Sequence, residues 1–288
     1  MSNHRISGRE RTRRREIFPA LCVIALVVAL AFICCALGTI IAGGAAHVRE
    51  VTSSAEVLFS LRMSVVTSLA STAICLLLAL PTGYALTRTR MPFKRAVETV
   101  LELTLSLPYI VLGFALLIMF SSPFGQALKS AGVAVVFQPL GIVVAQTIVN
   151  LPFAIRLVRT AFSDSDPRME FVAKTLGASS LSAFATVLVP SCRNALISCA
   201  ILTWARGMGE FGATLMLVGV TRMRTETLPG SIFLSISTGN YDTAMATAMI
   251  MLIVSALTLA LANALGSHTA TRVSSDGRKR ARRRGHGR

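Results

Sequence analysis

Residues 156–190 read RLVRTAFSDSDPRMEFVAKTLGASSLSAFATVLVP and form a polar segment between two apolar ones. Asp166 is a residue type that caps helix N-termini, Pro167 suits a first helical turn, and Gly177 suits a helix stop. Between these signals, four apolar residues fall at helical spacing on one face, namely Met169, Val172, Ala173 and Leu176. The pattern predicts a short amphipathic helix over about residues 167–176.

Two roles are open to a short surface helix between membrane segments. It either lies on the lipid or acts as a lever for a cytoplasmic partner, and helical spacing alone does not separate the two. A second helix is predicted from near Ser180, and Pro190 stands where the next membrane helix starts.

The polar segment is set among apolar runs long enough to cross a bilayer, which takes about 20 residues of helix. The charge-free runs are Ile17 to Ala46, Met63 to Thr87, Leu103 to Leu128, Ser130 to Ile155 and Thr243 to Gly266. A further run, residues 194–220, is apolar but carries Arg206 and Glu210. We therefore predict an all-α polytopic membrane protein with six transmembrane helices. Its domains are a basic N-tail at 1–16, a transmembrane domain at 17–266 with the polar loop at 156–193, and a basic C-tail at 267–288.

Composition and charge support a membrane protein. The 288 residues are 53% hydrophobic and only 15% charged, against about 25% charged in an average soluble domain. Of the 29 Lys and Arg residues, 23 fall on the side of the membrane that holds both tails and the polar loop. The excess of positive charge predicts that this side, with both termini, is cytoplasmic. Arg-rich tails also suit nucleic acid, but in such a chain we assign them to topology and to anionic lipid, with no nucleic-acid partner.

No catalytic, cofactor-binding or metal site is predicted in this chain. The six cysteines form no CxxC pair and lie in or beside apolar runs, so we interpret them as packing residues. The four histidines show no metal-ligand spacing. No Ser/His/Asp arrangement occurs at one membrane depth, which argues against an intramembrane hydrolase.

Residues 204–214, WARGMGEFGAT, interrupt the fifth membrane helix. The three glycines formally fit GxGxxG, but no strand precedes them, so we reject a dinucleotide site. Arg206 and Glu210 are four residues apart and share a face on a continuous helix. They form either a structural ion pair, or one or both face a translocation path or an external docking surface. The glycines allow close helix packing or a break in the helix.

The segment 156–190 resembles the signature loop of ABC importer permeases. That signature is Glu-Ala-Ala, three residues, Gly, nine residues, then Ile-x-Leu-Pro. Gly177, Val187, Val189 and Pro190 lie at the expected spacing, and Ala173 matches the second Ala. Phe171 stands where the Glu is expected, and Glu170 lies one residue early.

The resemblance implies a coupling helix that presents an apolar and acidic face to a cytoplasmic ATPase subunit. The residues implied in coupling are Glu170, Phe171, Ala173, Leu176, Gly177 and Pro190. The chain has no GxxxxGK[ST] sequence, so ATP would be bound by a separate subunit and this chain would not itself be an enzyme.

Residues 205–214 resemble the Ala-Arg-x-x-Gly-Glu-Phe-Gly-Ala-Thr stretch of molybdate and tungstate importer permeases. Related sulfate permeases tend to have Tyr and Ser in place of Phe211 and Ala213. The resemblance implies a translocation path or external gate formed by Arg206, Gly209, Glu210, Phe211, Gly212 and Thr214.

The implied assembly is a homodimer in the cell membrane, with two ATPase subunits inside and an oxyanion-binding protein outside. Sulfate, phosphonate or ferric-ion permeases are alternatives within this class. An ATP-independent secondary transporter or channel is an alternative outside it, although such a protein has no reason to carry the 166–190 loop.

Overall fold

A computed structural model describes the backbone of residues 4–285 and the side chains of residues 21–262 and 264. Every regular element in this part of the chain is helical. The first seven helices are α1 (His4–Ala45), α2 (Val48–Thr52), α3 (Ala55–Arg88), α4 (Lys94–Ser106), α5 (Tyr109–Ser121), α6 (Pro123–Ser130) and α7 (Pro139–Ser163). The others are α8 (Pro167–Thr175), α9 (Ser180–Ala183), α10 (Val189–Ser191), α11 (Arg193–Met208), α12 (Gly212–Val218), α13 (Leu228–Ser237) and α14 (Tyr241–Gly285). A π-helix, Phe184–Leu188, joins α9 to α10.

The prediction of an all-α polytopic membrane protein is confirmed. Four helical stretches among the described residues are long and apolar enough to cross a bilayer, and they lie in α1, α3, α7 and α14. Two bent pairs also qualify as broken spans, α4 with α5 and α9–α10 with α11. Counting each pair as one gives the six predicted spans. The basic tails at 1–16 and 267–288 lie outside the residues whose side chains are described.

The predicted boundaries of three spans need correction. The third run bends by 108° between α4 and α5, because the residue before Pro108 is extended, as proline requires. The fourth span starts at Pro139, in the first turn of α7, and not at Ser130. It also runs to Ser163, so the polar loop begins later than residue 156, and Arg159 pairs with Glu98 of α4 at 2.9 Å. The fifth span ends at Met208 and not at residue 220, and its 78° bend, at the junction of α10 and α11, lies just before the predicted run.

The centre of the fold is the packing of α3 along α7. Small residues on the buried face of α3 let the two backbones approach, because a side chain at Gly83 would meet Val158 Cγ1 at 2.7 Å. The same face carries a row of buried hydroxyl residues, Ser60, Ser64, Thr67, Ser68, Ser71 and Thr72. Four of these donate to carbonyls of α3 itself, at 2.8–3.1 Å. Ser64 instead accepts a hydrogen bond from the backbone N–H of Leu228, which opens α13.

Two of the apolar clusters pack other helices against this pair. One includes the buried side chains of Leu86, Val158, Phe162 and Leu188, and lies at the end of the fold that carries the polar loop. The other joins α5, α7 and α12 around Leu116, Ile142 and Leu217. α1 contacts α14 but leaves its apolar side chains exposed, which suits contact with lipid.

Candidate functional site

The predicted helix in the polar loop is confirmed as α8, and local signals set both its ends. The Asp166 side chain accepts a hydrogen bond from the N–H of Arg168 at 2.9 Å, and Pro167 is the first helical residue. Gly177 has φ +94°, a conformation that glycine adopts without strain. The N–H of Gly177 donates to Lys174 O at 3.1 Å and that of Ala178 to Ala173 O at 3.0 Å, which closes the helix as a Schellman motif.

Apolar side chains of α8 project away from the rest of the protein. Phe171 is 68% exposed and Leu176 is 83% exposed, and Met169 and Val172 are exposed as well. Ala173 is half-buried. Exposed apolar side chains on a loop between membrane segments suit contact with a partner or with lipid.

Glu170 lies on the opposite, buried side of α8, with 5% of its surface exposed. Its Oε1 accepts a hydrogen bond from Arg88 Nε at 2.7 Å, at the last residue of α3. The expectation that α8 presents an acidic face outward is therefore wrong for Glu170. Because successive helical residues point about 100° apart, the one-residue offset exposes Phe171 and turns the carboxylate inward.

Arg88 is a site residue that the sequence analysis did not identify. Besides Glu170, its Nη2 donates to Phe162 O at 2.9 Å, to Ser165 O at 3.2 Å and to Ser165 Oγ at 2.7 Å. The sequence carries only a weak signal for this role, since Arg88 ends an apolar run and its partners lie more than 70 positions away.

The second half of the loop is attached through an aromatic side chain. Phe184, in the π-helix, meets Tyr84 of α3 edge-on, with ring centroids 5.1 Å apart. It meets Phe162 of α7 in the same way at 6.0 Å. Pro190 is exposed in the three-residue helix α10. The next membrane helix begins three residues after it, at Arg193.

The Arg206–Glu210 ion pair considered from the sequence is absent from the described residues. α11 ends at Met208, so the two residues do not share a continuous helix. The Glu210 carboxylate is buried at the start of α12 and accepts from Ala213 N at 2.9 Å, Thr214 N at 3.2 Å and Thr214 Oγ1 at 2.7 Å. The Glu210 carboxylate thus accepts from the Thr214 hydroxyl and from free backbone N–H groups in the first turn of α12. A negative charge at a helix N-terminus is stabilising.

Arg206 is held by aromatic groups. Its guanidinium donates to the hydroxyl of Tyr109 and lies over the ring of Phe153, 4.8 Å from the centroid. Arg206 is half-buried, and no hydrogen-bond partner for its Nε occurs among the described residues. Tyr109 and Phe153 belong to α5 and α7, and the sequence analysis assigned neither of them to the site.

The other residues of this motif shape the break between α11 and α12. Gly209 is exposed at the end of α11, and Gly212 opens α12 against Tyr109. Phe211 packs against Phe233 of α13, with ring centroids 5.4 Å apart. The core beside Gly207 is polar, since Gln146 Nε2 donates to Gly207 O at 3.0 Å.

Asn150 of α7 is fully buried, and neither of its side-chain polar atoms has a partner within the described part of the chain. The same part of the chain contains no group of three or more His, Cys, Asp or Glu residues that could hold a metal ion.

Comparison with known proteins gives a consistent picture. A family described as "Binding-protein-dependent transport system inner membrane component" matches residues 76–274. The chain is 36% identical over 200 residues to the molybdenum transport system permease protein ModB of Mycobacterium tuberculosis, covering 69% of this chain and 75% of that protein. It is 34% identical to the sulfate transport system permease protein CysT of Salmonella typhimurium, covering 66% and 70%. It is 36% identical to the molybdate/tungstate transport system permease protein WtpB of Thermococcus kodakarensis, covering 56% and 61%.

Solved structures share the fold at low sequence identity. A chain of a bacterial alginate ABC transporter, solved with a periplasmic protein bound to alginate pentasaccharide, matches with a TM-score of 0.70 at 16% identity, covering 92% of this chain and 97% of that one. A chain of the inward-facing MetNI methionine ABC transporter matches with a TM-score of 0.56 at 18% identity, covering 75% and 98%.

Proposed function

Since the chain belongs to the binding-protein-dependent transport system inner membrane component family and is therefore an ABC importer permease, we propose that it imports molybdate- or tungstate-type oxyanions. The observation that carries this proposal is the 36% identity to the molybdenum permease ModB over 200 residues. Phe211 and Ala213 also support the proposed substrate, because they match the molybdate/tungstate form of the motif. Sulfate is the second candidate, because the sulfate permease CysT of Salmonella typhimurium is 34% identical to this chain.

The proposed assembly places two copies of this chain side by side, with the pathway on their two-fold axis. Two ATPase subunits bind from the cytoplasm, where both termini lie, and a binding protein delivers the oxyanion from outside. The charge distribution supports this orientation, since the polar loop shares its side of the membrane with 23 of the 29 Lys and Arg residues. ATP is bound by the partner subunits, and this chain needs no cofactor of its own.

In the proposed mechanism, α8 is the coupling helix. Exposed Phe171 and Leu176 insert into an apolar groove of the ATPase, and burying each stabilises the contact by about 1.5–3 kcal/mol. Closure of the ATPase dimer on ATP draws the two α8 helices together and opens the pathway outward. Hydrolysis then resets it inward, which gives alternating access.

Arg206 is the side chain that we assign to the translocation path. Of its five N–H donors, the described contacts occupy only the one to Tyr109, so others remain for a tetrahedral oxyanion. Glu210 and Thr214 support the path from behind by holding the start of α12. Selectivity rests mainly with the binding protein, and Arg206 contributes attraction for the anion.

The test is the ATPase activity of the reconstituted complex of permease and ATPase subunits, with binding protein loaded with molybdate, tungstate, sulfate or nothing. Stimulation by molybdate or tungstate alone is the expected result. Stimulation by sulfate alone would move the substrate to the second candidate and leave the architecture intact. If none of the loaded forms stimulated the complex, the oxyanion importer itself would be the wrong assignment.

A further inference from the structure

We propose that Arg88 is the positioning residue that passes movement of α8 to α3, so that α3 is the membrane helix driven by the coupling loop. The inference rests on the proposed function of α8 as the coupling helix. It is independent of which oxyanion is carried.

Arg88 is placed to receive that movement because its guanidinium joins three parts of the chain. It bonds Glu170 in α8, Ser165 in the linker before α8, and the carbonyl of Phe162 at the end of α7. The pair is shielded, with 14% of the Arg88 side chain and 6% of the Glu170 side chain exposed. A buried ion pair of this kind resists separation, because parting the charges leaves both unpaired away from water.

The second half of the loop meets the same face of α3. Tyr84 lies four residues before Arg88, so the two side chains are neighbours on the helix surface. Tyr84 contacts Phe184 of the π-helix, while Arg88 contacts Glu170 of α8. Both halves of the loop, before and after Gly177, therefore contact the last two turns of α3.

The covalent route from α8 to α11 is less direct. It passes through Gly177, where an added Cβ atom would have no other atom within 4 Å. It then passes through the 78° bend at the start of α11. Such joints let α8 move without carrying α11 along as one body, whereas the Arg88–Glu170 ion pair joins α8 to α3 directly.

α3 is also built to carry the movement across the membrane. It is a single helix of 34 residues with Pro81 inside it, and its length is about 50 Å. At its opposite end, Glu56 pairs with Arg222, in the segment between α12 and α13. One helix thus connects the coupling loop to the segment at the far side.

The experiment compares variants of the complete permease–ATPase complex in proteoliposomes. The readouts are the ratio of ATPase activity with and without loaded binding protein, the oxyanion imported per ATP hydrolysed, and the melting temperature. The variants are Arg88→Met, Arg88→Lys and the double variant Arg88→Met/Glu170→Met. Arg90→Ala is the matched control, since Arg90 lies two residues away, is exposed, and makes no ion pair among the described residues.

We expect Arg88→Met to lower the stimulation ratio at least tenfold towards 1 and to lower the melting temperature. The double variant removes the unpaired buried carboxylate, so its melting temperature should recover in part, although the acceptors at Phe162 and Ser165 stay without their donor. Its stimulation ratio should not recover. Arg88→Lys should retain part of the stimulation, because an ammonium group still reaches Glu170.

The proposal is overturned if the double variant is stable and stimulated like the wild type, since Arg88 then serves stability alone. It is also overturned if Arg88→Met and Arg90→Ala behave alike, at the wild-type ratio. Should Arg88→Met fail to assemble, the double variant and Arg88→Lys decide the matter by the same criteria. Failure of the wild-type complex to respond to any loaded binding protein would instead refute the proposed function.

Discussion

Removing the Glu210 carboxylate should destabilise the protein strongly, and the effect should be independent of Arg206. The carboxylate is 4% exposed and accepts three hydrogen bonds, two from backbone N–H groups and one from a hydroxyl. Each hydrogen bond to a charged group contributes about 1.5–3 kcal/mol, but the three share one carboxylate and are not additive. We expect Glu210→Ala to cost about 3–5 kcal/mol, comparable to breaking a buried charged contact. Glu210→Gln keeps one acceptor oxygen and should cost about half as much.

For a chain of this size, 1 kcal/mol corresponds to about 2–4 °C in melting temperature. Glu210→Ala should therefore lower the melting temperature in detergent by on the order of 10 °C. Glu102→Gln, which alters an exposed carboxylate, is the control and should change it by less than about 1 °C.

A double-mutant cycle separates this interpretation from an Arg206–Glu210 ion pair. If Glu210 only stabilises α12, the changes in the free energy of unfolding caused by Arg206→Ala and by Glu210→Ala add to within about 0.5 kcal/mol in the double variant. A coupling free energy above about 1 kcal/mol would show that the assignment of Glu210 is mistaken. A Glu210→Ala variant with the melting temperature of the wild type would show the same.

Three further predictions concern the loop and the helix packing. Gly177→Val should reduce binding-protein-stimulated uptake several-fold, because valine is strained at φ +94°. Gly177→Asn should reduce uptake less, because asparagine tolerates that conformation. Equal effects of the two variants would show that backbone strain is not the cause. Phe171→Ala should weaken co-purification of the ATPase by about 10- to 100-fold in affinity, while Met223→Ala, an exposed residue elsewhere, should not; equal loss in both would remove the docking role. Gly83→Ala should lower the melting temperature, because its Cβ would lie 2.7 Å from Val158 Cγ1, and Val158→Ala in the same chain should restore part of the loss; no rescue would contradict the packing described.

The parts of the site that the sequence predicted are those that local chemistry determines. Asp166, Pro167 and Gly177 set the ends of α8 through contacts with residues at most five positions away, so their meaning is readable without the fold. The apolar runs likewise revealed the spans, because bilayer thickness sets their length.

The parts that the sequence did not predict depend on contacts between distant segments or on breaks in a helix. Arg88 and Glu170 are 82 positions apart, and no periodicity relates them. The Arg206–Glu210 pairing failed because four-residue spacing implies a shared face only while the helix continues, and α11 stops at Met208. Hydropathy also misplaced the fourth span, since it responds to apolar content and not to the proline that starts α7.

The buried hydroxyls of α3 have a consequence for how this helix can slide. Four of them donate to carbonyls of α3, so these hydrogen bonds travel with the helix when it is displaced. When α3 slides along α7, many weak dispersion contacts are replaced by similar ones, and few hydrogen bonds are broken. In a membrane core, where no water replaces a lost partner, that difference is large. The row of serines and threonines thus lets a tightly packed helix slide at a low energetic cost. The hydrogen bond from Leu228 N–H to Ser64 Oγ is the contact of this row that such a movement would break.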